Sequence, residues 1–153
     1  MVGPVGRHGE AGTAPRDRDR ALTPRGVAAL GRAVLRFQDA IGAKNLPDVA
    51  NVMTSPWLRT RQTGDILGAA LAVNPRAVDW LSPSASIDDA GVLCDGSEGH
   101  MILVSHQPLV SELLWYWLDS RALPPLAPGG WASISIADHG QGLGALIASE
   151  VSI

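Results

Sequence analysis

Two histidines of this chain, His8 and His106, each follow a short apolar run and stand among polar neighbours, in Arg7-His8-Gly9-Glu10 and Ser105-His106. A third polar cluster, Ser55 to Arg61, contributes Arg59 and Arg61. A neutral imidazole is a nucleophile, and guanidinium groups hold oxyanions through paired N–H donors. Together they suit in-line attack on phosphorus. One histidine takes the phosphoryl group, arginines neutralise charge on the equatorial oxygens, a second, protonated histidine adds a donor, and water releases phosphate. Such a site needs no metal or other cofactor, because arginine supplies the positive charge. Nor do the carboxylates gather into a divalent-cation set. Asp17 and Asp19 fall in a loop, and Asp88 and Asp89 begin a helix.

For these clusters to meet, the elements before them must end side by side. Thr23-Pro24 is a helix start, with Thr as cap and Pro at the first position. Val27, Leu30, Val34, Phe37 and Ile41 then recur at spacings of three and four, giving one apolar face over about five turns. Val49 to Thr54 reads as a strand, Ser55-Pro56 as the start of a second helix to about Ala72, and Ala77 to Leu81 as a further strand. A helix follows Ser86 over Ile87 to Leu93. His100 to Ser105 is an apolar, buried strand, and Pro108 opens a helix carrying Val110, Leu113, Leu114 and Trp117. Leu123 to Gly130 is a loop. Trp131 to Ala137 and Ala145 to Val151, joined by a glycine-rich turn, form a closing antiparallel pair. Strands alternating with helices predict a three-layer α/β/α fold with a mostly parallel central sheet, and such folds place sites at the carboxyl ends of strands. All three polar clusters fall there. The opening strand, Met1 to Gly6, carries Pro4 and two glycines, which predicts a distorted ladder.

The 153 residues, 46% hydrophobic and 18% charged, suit one globular domain over 1–153. A net charge of −3 argues against a nucleic-acid partner. The single cysteine, Cys94, rules out a disulfide framework and reads as a small buried apolar residue. The start lacks a charged, then apolar, leader, and no uninterrupted apolar run reaches the ~18 residues of a membrane span. The expected compartment is the cytoplasm, with no membrane partner.

Four blocks, in order, carry a resemblance. Arg7-His8-Gly9-Glu10 resembles the RHG signature of the histidine phosphatase superfamily, the phosphoglycerate mutase-like fold. Leu22-Thr23-Pro24-Arg25-Gly26 is similar to its LTxxG helix start, and Ser55 to Thr63 to its SPxxRxxQT helix. Val104 to Val110 resembles its second histidine block. The resemblance implies that His8 is the nucleophile and that Arg7, Arg59 and His106 complete the phosphate pocket. Gly9, Glu10 and Ser55 join as substrate-binding residues. Larger members insert a cap that carries an acid. Here the segment after the second helix is short, and Ala77 to Pro83 is similar to that of the SixA-type phosphohistidine phosphatases. This implies an uncapped, open pocket. The implied partner is a phosphohistidine-bearing protein, such as a histidine-phosphotransfer domain of a two-component relay. Two other functions fit the same residues: a phosphomonoesterase of small metabolites or sugar phosphates, and a non-catalytic phospho-binding module.

Several residues admit a plainer reading. Ser55 serves as a helix cap more readily than as a catalytic group. Glu10 is either an acid beside the pocket or an exposed loop carboxylate, and Asp88 is the other candidate acid. Arg61, His100 and His139 read as surface residues, and Asp17 to Arg20 as a solvated charge run. Trp115 and Trp117 face different sides of one helix, one in the core and the other free to form a contact patch. Trp57 lines either the pocket mouth or the core.

Overall fold

A computed structural model of the chain describes residues 2–94, 99–137 and 140–153, apart from the side chains of residues 2 and 91–94. The elements run β1 (Val2–Arg7), α1 (Pro24–Ala43), β2 (Val49–Thr54), α2 (Leu58–Leu71), β3 (Arg76–Ala77), α3 (Ile87–Cys94), β4 (His100–Ser105), α4 (Leu109–Leu118), β5 (Trp131–Ile136) and β6 (Gly144–Glu150). The sheet has six strands in the order β3-β2-β4-β1-β5-β6. The pairs β3–β2, β2–β4 and β4–β1 are parallel, while β1–β5 and β5–β6 are antiparallel.

Alternation along β4 divides the core between the two faces of the sheet. Met101 and Leu103 pack with Leu109, Val110, Leu113, Leu114 and Trp117 of α4, and with Ala90 of α3. Ile102 and Val104 pack on the other face with Phe37 and Ile41 of α1 and Leu67 and Leu71 of α2. Every residue of β4 is buried, as expected of a parallel strand covered on both sides. These are the three α/β/α layers. Between α2 and α3 the chain holds only β3 and a 3-10 turn, Asp79–Leu81, with no inserted cap.

Pro4 sits in a central strand, and the ladder bends to admit it. Pairing with β4 joins Val2 to His100 and resumes at Val5 with Leu103. His8 N–H donates to Ser105 O, so by alternation the Pro4 nitrogen also faces β4, where a missing N–H breaks the ladder. At Gly3 a Cβ would lie 1.7 Å from the Met101 carbonyl oxygen, an approach only glycine permits.

Some local expectations are corrected. The third strand is only Arg76–Ala77, because the chain turns at Asp79–Leu81 to bury Leu81, whose carbonyl accepts from Ser105 Oγ at 2.6 Å. Helix α2 starts at Leu58 with Trp57 as its cap residue, not at Ser55, whose N–H still bonds to Val104 O in the sheet. His100 is buried, its Nδ1 paired with Pro47 O at 2.5 Å. Trp117 is the core residue of its pair. Trp115 is half-buried, donates to Leu123 O at 2.8 Å and is covered by Arg121, so it does not form an open patch. The Cys94 side chain and His139 lie outside the described residues.

Candidate active site

The ends of β1, β2 and β4 bring the three polar clusters together. His8 follows β1, Ser55 follows β2, and His106 follows β4. The rings of His8 and His106 lie 5.2 Å apart between centroids, and Trp57 stands edge-on to His106 at 5.1 Å. Arg59, in the first turn of α2, reaches the same spot and stacks its guanidinium 4.8 Å above the Trp57 ring.

His8 has one neutral form here. Its Nδ1 is 2.7 Å from Gly9 O, which can only accept, and its Nε2 is 3.0 Å from Arg59 Nε, which can only donate. The proton therefore sits on Nδ1 and the lone pair on Nε2, facing Arg59. Burial lowers the His8 pKa to about 4, and the positive charges of Arg59, Arg7 and Arg20 push the same way. His8 is thus a neutral imidazole at pH 7, with the Nε2 lone pair available.

His106 is 2% exposed, and its Nε2 lies 2.9 Å from Ser55 Oγ. That hydroxyl also accepts from Trp57 N–H at 3.3 Å, so Ser55 orients His106 and does not cap α2 through its side chain. The Nδ1 of His106 is buried with no hydrogen-bond partner among the described residues. Burial, then the neighbouring His8 and Arg59, lowers the His106 pKa to about 3, so the ring is neutral, whereas the sequence reading expected it protonated. A nearby anion acts in the opposite direction, by favouring the imidazolium.

Arg7 donates from Nη1 to Leu126 O at 3.2 Å, and the 123–130 loop locks the end of β1 through Gly129 N–H to His8 O at 2.9 Å. Gly129 adopts φ +81°, a left-handed conformation natural to glycine. Burial, then the proximity of Arg59, lowers the Arg7 pKa. Gly9 spends its N–H on Thr63 Oγ1 at 3.1 Å, and a Cβ there would meet Leu30 Cδ1 at 2.5 Å. Glu10 turns away toward α1. It accepts from Thr23 Oγ1 at 2.9 Å and from the Arg25 guanidinium, and these bonds hold its carboxyl below the usual range. It anchors the loop to the start of α1, which is a poor setting for a proton donor. Asp88 is exposed on α3, where Asp89 rather than Asp88 pairs with Ser86. Arg61 is also exposed.

The sequence reading missed three participants. Asp17 accepts from Arg59 Nη1 through its backbone oxygen at 2.8 Å and from Arg59 Nη2 through Oδ2 at 3.4 Å. Its Oδ1 accepts from Arg20 Nη1 at 2.9 Å, which brings a further arginine beside the pocket. The 12–20 loop is therefore docked on Arg59 rather than solvated throughout. Thr63 supports Gly9, and its place at the end of the Ser55–Thr63 block was the available signal. Nothing in the alternating charges of Asp17 to Arg20 distinguishes a docked run from a free one.

No family model matches the chain. An uncharacterized protein of Picosynechococcus sp. is 32% identical over 111 residues, which span 69% of this chain and 62% of that relative. The chain therefore covers less than two thirds of that relative's length. Among solved structures, the protein histidine phosphatase SixA complexed with tungstate superposes with a TM-score of 0.82 at 22% identity, covering 99% of this chain and 97% of that one. A putative phosphohistidine phosphatase SixA from Nakamurella multipartitia gives 0.75 at 25% identity, covering 98% and 96%. The chain has the histidine phosphatase fold, in its SixA form. This histidine phosphatase fold also serves other substrates. A phosphoserine phosphatase from Entamoeba histolytica in complex with 3-phosphoglyceric acid matches with a TM-score of 0.70 at 14% identity, covering 97% and 96%.

Proposed function

We propose that this chain is a phosphatase that takes phosphoryl groups from phosphohistidine on a partner protein, of the kind found in histidine-phosphotransfer domains of two-component relays. The observation that carries the reaction class is the His8 tautomer: Gly9 O holds the proton on Nδ1 and leaves the Nε2 lone pair beside Arg59. Attack by Nε2 forms a P–N bond to His8 while the substrate P–N bond breaks. The electron pair goes to the imidazole nitrogen that held phosphorus, and the leaving ring departs neutral because its other nitrogen already carries a proton or because it takes one from water. Water then attacks the phosphoryl group on His8 and the Nε2 lone pair is restored. One water proton stays with the phosphate and the other leaves to solvent. Arg7, Arg59, Arg20 and the Nδ1 of His106 surround the phosphoryl oxygens.

The choice of substrate is supported by the lack of an inserted cap between α2 and α3 and by the Glu10 geometry. An open pocket admits a side chain projecting from a folded protein. A phosphoramidate, whose leaving nitrogen can be protonated in advance, needs no poised acid. The test is phosphate release from a ³²P-labelled histidine-phosphotransfer domain. Rapid turnover of small phosphate esters with none on phosphohistidine protein would favour the second reading, a small-metabolite phosphomonoesterase, which the shared fold with phosphoserine phosphatase supports. Binding without turnover of either would favour a phospho-binding module.

A further inference from the structure

The guanidinium of Arg59 has five N–H groups, and three are committed within the protein. Its Nε–H goes to His8 at 3.0 Å, one Nη1–H to Asp17 O at 2.8 Å and one Nη2–H to Asp17 Oδ2 at 3.4 Å. The other oxygen of the same carboxylate, Oδ1, accepts from Arg20 Nη1 at 2.9 Å, while Arg20 Nε is tied to Gly12 O at 2.6 Å. A single carboxylate thus spans two guanidiniums at the pocket edge, one oxygen to each. Arg59 itself is 5% exposed, so water screens its interactions weakly. The Asp17 side chain is 54% exposed and stands on a surface 3-10 turn, Asp17–Asp19, that contributes no buried residue.

We propose that Asp17 is a specificity-determining residue whose carboxylate competes with the phosphoryl oxygens of the ligand for Arg59 and Arg20. It thereby sets how tightly the pocket holds an oxyanion. The inference rests on the reading of this pocket as a phosphoryl site. A phosphoryl dianion that draws on both arginines must displace or repel Asp17, and the cost falls hardest on the most highly charged species. That species is inorganic phosphate, the product. A phosphoryl group joined to a protonated imidazole carries a compensating positive charge that free phosphate lacks, and is opposed less. Asp17 therefore favours release of product over retention.

The experiment is calorimetric titration of the full chain with inorganic phosphate at pH 7.5, comparing wild type, Asp17→Asn and Asp19→Asn. Asp19 pairs with the exposed Arg16 and Arg18 and has no contact with Arg59, so its variant reports loop charge alone. The expected result is phosphate binding about tenfold tighter in Asp17→Asn, with Asp19→Asn near wild type. Asp17→Ser, a second variant without the charge, should shift in the same direction. Equal or weaker phosphate binding by folded Asp17 variants would overturn the inference and make Asp17 a support for Arg59. A wild type that neither binds phosphate nor turns over any phosphorylated substrate would instead remove the underlying phosphoryl-site reading, and this inference with it.

Discussion

Arg59 donates its Nε–H to Nε2 of His8 across 3.0 Å, on the same nitrogen that the proposed reaction requires as a nucleophile. Arg59 therefore covers that nitrogen's lone pair. In the proposed reaction, a phosphoryl group would offer the guanidinium a stronger, charged acceptor and so free the lone pair.

That exchange depends on the planar fork of arginine, which Lys does not reproduce. Arg59→Lys is expected to lower kcat/KM by about 10²- to 10³-fold, in line with loss of one strong transition-state donor. Steady-state kinetics on a phosphohistidine substrate checks this. A loss of less than about fivefold would mean that a point charge suffices.

The pH dependence follows from the buried imidazoles. His8 and His106 sit near 4 and 3, below their ordinary value of 6.5, chiefly because burial disfavours the charged ring. Between about pH 6.5 and 4 the unfolded chain binds protons that the native chain refuses, so stability rises with pH in that window. Stability is full above about 6.5 and is lost as pH falls toward 4. Urea midpoints taken at steps from pH 7 to 4.5 should fall accordingly, and added phosphate should flatten the trend by favouring the imidazolium. The acid limb of kcat/KM should lie near pH 4, where free His8 protonates. A limb near 6.5 would show a solvated nucleophile.

Glu10 serves the loop rather than the reaction in this geometry, since Thr23 and Arg25 take both its oxygens. Glu10→Gln is expected to keep kcat within about threefold of wild type, as fits an exposed ion pair. A loss of two orders of magnitude in kcat, with KM unchanged, would restore Glu10 as an acid.

Much of the fold was legible because it rests on local signals. The Thr23-Pro24 start does form a cap, with Thr23 Oγ1 accepting from Gly26 N–H at 2.9 Å. Leu30, Val34 and Phe37 of the expected apolar face of α1 are buried and Ile41 packs beside them, but Val27, in the first turn, is 46% exposed. The buried run of β4 likewise reads directly. What stayed hidden depends on tertiary partners. Ser55-Pro56 has the appearance of a helix start, but His106, 51 residues away, takes the hydroxyl. His100 looks like a strand-end surface residue until Pro47 covers it. Asp17 to Arg20 has the pattern of a solvated loop, and only the position of Arg59 turns Asp17 into part of the pocket.

Thr63 is the other long-range contact with a measurable consequence. Its hydroxyl accepts from Gly9 N–H and donates to Arg59 O at 2.8 Å, tying the turn after His8 to α2. Thr63→Val leaves a buried N–H unpaired and should cost about 1–3 kcal/mol of stability. Chemical denaturation measures it directly, and a change below about 0.5 kcal/mol would show that another acceptor replaces the hydroxyl.

The central claim is covalent chemistry at His8. The direct measurement is to mix the chain with a ³²P-phosphohistidine protein, quench in alkali to preserve phosphoramidates, and map the label by proteolysis. The account predicts transient label on the peptide containing His8, discharged on a chase with unlabelled substrate, and neither label nor phosphate release in His8→Ala. Phosphate release by His8→Ala at the wild-type rate, with no label on the wild type, would contradict it.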